Sequence, residues 1–379
     1  MKLRPLLFFW CLWFTNFFVR TAFSPLLPLI EDALSLSHGQ AGGLFTSMFV
    51  GYGLSLLIAG RFASRWGYKR TVLTGFVLIA IGLFFVQAAE TYLAIHLVCF
   101  LIGTGLGAYL PAILPIITET YEQKDWGKVI GIHDSAASFG FFATPILIAF
   151  GLHFLSWKRI LLILGMICLL LPLYFWRVAV EPKKQAVQEK GSYAKIFEKR
   201  SMWVLALLFV VANASCGGIY AILPLYMVKE RAMDFDFVNT LVGISRVGGV
   251  FVSIVLGFLA DRHGFLRLLK ISIFTTGLST LAIALASSVP FLATVLFVQA
   301  MFSVAFFPLA FATISRLTSL SERAMAAGVI ICIGVIFGTG LTPLLLGLTA
   351  DHFSFQAGIL GVGIITMASY LLVGFLEET

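Results

Sequence analysis

Three charged side chains stand inside apolar runs of this chain: Arg20, Asp134 and Arg246. Each costs about 2.5–3.5 kcal/mol at the centre of a membrane-spanning helix, so such residues face a bundle interior or a watery cavity. A guanidinium there offers a planar fork of N–H donors to a carboxylate or phosphate and stays protonated. A desolvated carboxylate has a raised pKa and can carry a proton. Two arginines and one aspartate leave a net positive charge, which favours an anionic ligand. Arg20 has Asn16 four residues before it and Ser24 four after, which makes one helical stripe polar. Asn213 and Tyr220, seven apart, share a helical face with Cys216, and Gln299 is a further polar candidate for the lining. His133 precedes Asp134; neighbours on a helix point about 100° apart, so one of the two faces a cavity.

Blander readings accompany each of these. Arg246 also reads as a structural ion pair or a snorkelling side chain, and Asp134 as a fixed countercharge to Arg20. His133 reads as a hydrogen-bonded packing residue. The polar residues can simply bond to neighbouring helices, at about 1 kcal/mol or less each.

Composition defines the elements that must position these groups. Of 379 residues, 60% are apolar, 12% are charged and 37 are Phe. A soluble globule has too little polar surface for that interior, and a disordered chain is excluded. The remaining class is an all-α integral membrane protein, because in lipid each backbone amide must be bonded within its own segment. At about 20 apolar residues per crossing, the spans are read at roughly 5–30, 41–60, 71–89, 92–117, 129–153, 159–178, 202–228, 238–260, 269–287, 291–315, 325–350 and 354–376. The first run is too long for a cleaved signal and lacks a small-residue cleavage site.

Most of the 26 Lys and Arg fall in the N-terminal stretch and the loops after even-numbered spans, whereas the opposite loops hold Lys158, Arg159, Lys229 and Arg231. Both termini are therefore expected in the cytoplasm, and the net charge of +8 is topogenic rather than a nucleic-acid signal. The polar stretch 179–201 divides the chain into bundles at 1–178 and 202–379. The five cysteines form no CxxC or Cys/His cluster, so neither a metal nor a disulfide is expected. The GTGLG run from Gly103 follows no strand, so no dinucleotide or other cofactor is expected either.

The two halves repeat each other. GRFASRWGYKR from Gly60 matches GFLADRHGFLR from Gly257, Pro111 matches Pro308, and FGFFATP from Phe139 matches FGTGLTP from Phe337, at offsets of 197 to 198 residues. With an even number of spans in each half, the repeat is parallel, an arrangement that places a substrate site between the halves near the midplane. At the repeat positions Arg20, Asp134 and Arg246 correspond to Cys216, Cys332 and Phe49, so the scaffold alone does not require the charges.

Over its whole length the chain resembles the major facilitator superfamily. The loop signature of that family reads here as Gly60, Ser64, Arg65, Gly67, Lys69 and Arg70, and in a second copy as Gly257, Asp261, Arg262, Gly264 and Arg267. The resemblance implies two bundles of six helices and a gate at these loops; Ser64 stands where an Asp is usual. Cys99 replaces a common proton-linked arginine, and Thr144-Pro145 replaces the Gly-Pro of antiporters, so neither role is carried over. VRTAFSPLLP, with Arg20 eight residues before Pro28, is similar to helix 1 of the organic-anion branches, where this arginine binds the substrate anion. Phosphate antiporters carry a second arginine on helix 7, where this chain has Cys216; the resemblance leaves Arg246 on helix 8 to replace it.

The expectation is a twelve-helix secondary transporter in the cell (inner) membrane, a monomer moving a small organic anion by alternating access. Proton symport through Asp134 and His133 is the first expectation for coupling, and anion exchange the second. The rivals are an exporter of hydrophobic or cationic drugs or lipids, and a non-transporting receptor. No nucleophile–base pair suggests an enzyme.

Overall fold

The computed structural model describes residues 3–182, 198–249, 252, 259, 262 and 264–376. Among them there are helices and no strands, and eleven helices are long and apolar enough to cross a membrane. The expected span at 238–260 is described only in part, and residues 183–197 of the polar linker lie outside the described residues. The chain divides into two compact units, Met1–Ser35 with Ser47–Gln188, and Leu36–Thr46 with Glu189–Thr379.

The first unit holds α1 (Leu3–Leu34), most of α2 (His38–Trp66), α3 (Tyr68–Phe85), α4 (Tyr92–Gly107), α5 (Tyr109–Thr120), α6 (Trp126–Leu152) and α7 (Trp157–Val178). α1 lies along α6, and α3 packs on both α4 and α7. The starts of α4 and α7 are fixed by hydroxyl caps: Thr91 accepts from the Ala94 amide and Ser156 from the Arg159 amide. Pro111 has no N–H for the carbonyl four residues before it, and the spanning helix breaks there, between Gly107 and Tyr109. That break sets the direction of Tyr109, which matters below.

The second unit holds α8 (Arg200–Asn213), α9 (Ile219–Leu225), α10 (Phe235–Ser245), α11 (Phe265–Leu285), α12 (Val289–Leu317), α13 (Leu320–Ile333), α14 (Leu341–His352) and α15 (Phe355–Ala368). π turns interrupt these helices at Ala214–Gly218, Tyr226–Glu230 and Gly334–Gly340. α11 packs on α12 and α15, and Phe209 meets Phe306 edge-on at 5.2 Å in the apolar core of the unit. Residues 36–46, which the sequence places with the N-terminal bundle, are grouped here. The physical reason is a carboxylate cap: Asp351 accepts from Ser37 Oγ at 2.8 Å and from the His38 and Gly39 amides at 2.9 Å. An anion at the first turn of a helix is favoured by the unpaired amides there. Gly42 adds a backbone approach to Pro343 that leaves no room for a Cβ.

Candidate functional site

In the first unit, α1 presents Arg20 to three rings. Its guanidinium carbon lies 5.0 Å from the Phe17 ring, 4.9 Å from Phe49 and 5.0 Å from Tyr52. Such contacts hold the cation at about 0.5–2 kcal/mol each. One turn earlier, Asn16 is fully buried and donates to the Leu106 carbonyl at 3.3 Å, while its Oδ1 has no partner among the described residues.

His133 and Asp134 separate as neighbours on a helix must. The His133 ring is buried, whereas the Asp134 side chain is 60% exposed. The Asp134 carboxylate thus stands on the outer side of α6, and its neighbour is enclosed. Nor does Asp134 serve Arg20. Its one hydrogen-bonding partner among the described residues is His133, whose Nδ1 lies 3.2 Å from Oδ1. On the other side of the ring, Nε2 lies 3.1 Å from the Tyr109 hydroxyl, which itself lies 3.2 Å from the Phe9 carbonyl. The planes of Trp13 and Tyr109 lie within 10° of the imidazole. Tyr109 went unnoticed in the sequence, because a tyrosine in an apolar helix reads as core.

In the second unit, Arg246 follows α10 and is only 4% exposed. Its guanidinium sits over the Tyr220 ring at 4.8 Å. Among the described residues nothing accepts a hydrogen bond from Nε or Nη2. A buried charged donor left in this state costs several kcal/mol unless something supplies the missing acceptor. Gln299 donates to the Ser215 carbonyl at 2.6 Å and keeps a buried Oε1 without a partner among the described residues. Asn213 is differently placed: it donates to Phe209 O at 2.8 Å and accepts from Thr339 Oγ1 at 3.2 Å. The π turn at Ala214–Gly218 lies between Asn213 and Tyr220 and changes the helical register, so their seven-residue spacing no longer defines one face. Tyr220 thus meets Arg246 while Asn213 is tied to a neighbouring helix.

The two loop signatures share one backbone feature. Gly67 has φ +114° and Gly264 φ +81°, values that side chains rarely adopt, so glycine is required at both turns. Gly60 is half-buried, while Arg65, Arg70, Arg262 and Arg267 are exposed. Gly257 and Asp261 lie outside the described residues. In the first copy Ser64 donates to its own helix, at Arg61 O, and a carboxylate comes from further along the chain. Glu181 accepts from the Tyr68 amide at 2.6 Å and the Lys69 amide at 3.1 Å, capping α3. Lys69 in turn donates to Trp176 O at 2.6 Å. A residue more than a hundred positions away gave no local signal in the sequence.

Among the described residues no cluster of three or more His, Cys, Asp or Glu could hold a metal.

The family model of the Major Facilitator Superfamily matches residues 9–252 and 205–379. A hexuronate transporter of Bacillus subtilis is 23% identical over 273 residues, 69% of this chain and 64% of that protein. A probable L-galactonate transporter of Escherichia coli is 22% identical over 65% of this chain and 58% of that protein. The matches thus span less than two thirds of the length of these two relatives. Among solved structures, a bacterial homolog of the human lysosomal transporter Spinster, inward-facing and occupied, has a TM-score of 0.85 at 16% identity, covering 99% of this chain and 96% of that one. That likeness shows a shared fold.

Proposed function

The chain belongs to the major facilitator superfamily of membrane solute transporters, and from that premise we propose that it carries a small organic anion by alternating access. The observation that carries the reading is Arg246, a buried guanidinium with two N–H groups lacking an acceptor among the described residues. A carboxylate would restore both bonds through the fork–fork geometry that guanidinium favours and would neutralise the charge. Arg20, held over three rings, offers a second cation in the other unit. The names of the two relatives, a hexuronate transporter and a probable L-galactonate transporter, support the same class. Proton coupling through Asp134 and His133, a monomeric state, an inner-membrane location and cytoplasmic termini complete the proposal.

The test is uptake into proteoliposomes of the purified chain, with glucuronate and galactonate as probes. Arg246→Ala should weaken uptake at half-saturation at least about 30-fold, the equivalent of the ~2 kcal/mol lost when one partner of a buried charge pair is removed. Unchanged uptake in that variant would falsify the role of Arg246. Stabilisation of the wild type by lipophilic cations and not by either acid would favour the exporter reading instead.

A further inference from the structure

The contacts around His133 count protons. Three separations lie at hydrogen-bonding distance in series: Phe9 O to Tyr109 Oη, Tyr109 Oη to His133 Nε2, and His133 Nδ1 to Asp134 Oδ1, at 3.2, 3.1 and 3.2 Å. Each needs one hydrogen. The Tyr109 hydroxyl has one to give, and a neutral imidazole has one more. An ionised Asp134 has none. Two hydrogens cannot serve three bonds, so the geometry fits a cluster holding one proton beyond neutral His133 and ionised Asp134.

The burial pattern says where that proton sits and how it leaves. Tyr109 is buried and can donate to Phe9 O, which leaves its oxygen to accept from Nε2–H. That arrangement fixes the hydrogen on Nε2 and turns the Nδ1 lone pair toward Asp134. The extra proton then lies between Nδ1 and the carboxylate. Asp134 is the exposed member, and a charge so placed on a spanning helix is tolerable only where that face is wet. When the proton leaves, a lone pair faces an anion, and the contact must open.

We propose that Asp134 and His133 form a proton-holding pair, and that Tyr109 is its positioning residue, setting the tautomer that makes the pair take up a proton. Without Tyr109, a neutral ring could carry its hydrogen on Nδ1 and keep the Asp134 contact with no proton gained. Of the groups turned toward the imidazole, Tyr109 from α5 and Asp134 from α6 itself are titratable, and α1 supplies the Trp13 ring and the Phe9 carbonyl. Arg20 stands further along α1 over Phe17, whose ring abuts Trp13 at 4.9 Å. The inference rests on the proton-coupled part of the proposed function.

The test uses the full chain in lipid nanodiscs with ¹⁵N-labelled histidine, whose ring shifts distinguish the two neutral tautomers from the doubly protonated ring. Six histidines are present, and the His133 signal is assigned by its loss in His133→Gln. Across a series of pH values, wild type should show the doubly protonated form and, once that proton is lost, the Nε2–H form. Tyr109→Phe should instead show the Nδ1–H form throughout, and Asp134→Asn should lose the doubly protonated form. A wild-type ring that stays neutral across that series, or a Tyr109→Phe spectrum like wild type, overturns the proposal. Uptake measured with and without an imposed proton gradient separates this from coupling. Gradient-driven uptake beside a neutral His133 removes the pair but keeps coupling, whereas a titrating His133 with gradient-blind uptake does the reverse.

Discussion

The two units handle a buried cation in opposite ways. In the first, Arg20 is half-buried and lies against three aromatic faces. In the second, Arg246 is almost wholly enclosed, meets one ring, and has two N–H groups without an acceptor among the described residues. The first cation is supported by its surroundings, while the second carries a cost that nothing among the described residues offsets. The difference predicts opposite signs in the protein without substrate. Arg246→Met should raise stability by about 1–4 kcal/mol, as exchanging buried ionic groups for packed apolar ones often does. Arg20→Met should lower it, by about 0.5–1 kcal/mol for each ring contact that counts. Thermal unfolding of the two variants in the same detergent decides the matter. Equal signs would break the comparison and leave Arg246 a structural residue.

The same contrast shows what a sequence can reveal. Chain-internal spans are legible because lipid offers no partner to the backbone, so apolar runs and the basic loops beside them follow directly from physics. Gly67 and Gly264 were legible as matching places in the two loop signatures, and both have positive φ. What escaped were partners supplied from a distance. The cap from Glu181, the cap from Asp351 that draws residues 36–46 into the second unit, and the hydroxyl of Tyr109 all join positions that spacing does not connect. The π turn at Ala214–Gly218 escaped for another reason: a helical wheel assumes constant pitch, and five residues of wider winding move every later side chain. The exposure of Asp134 was not legible either, because a charge in an apolar run does not say which face of its helix is covered.

The two loop signatures sharpen the comparison on a smaller scale. At Gly67 a Cβ would stand 3.1 Å from Glu181 Oε1, while at Gly264 nothing lies within 4 Å. Backbone strain of about 1–3 kcal/mol applies at both, so Gly264→Ala should show that strain alone. Gly67→Ala should cost more, because the added methyl also presses on the carboxylate that caps α3. Unfolding midpoints of the two variants test the order, and a larger loss at Gly264 would contradict it.

Glu181 makes the smallest effect and the most specific one. Its carboxylate serves two amides at the start of α3, where the helix dipole also favours negative charge. Glu181→Ala should therefore cost about 0.5–2 kcal/mol, the usual range for a lost cap. If the extra loss at Gly67 comes from pressing on that carboxylate, the methyl has nothing to displace once Glu181 is gone. The double variant Gly67→Ala with Glu181→Ala should then lose less than the two single losses combined, by the amount that Gly67→Ala exceeds Gly264→Ala. Strict additivity would mean that the loop is strained by its backbone only, and that the linker carboxylate caps α3 without bracing the turn before it.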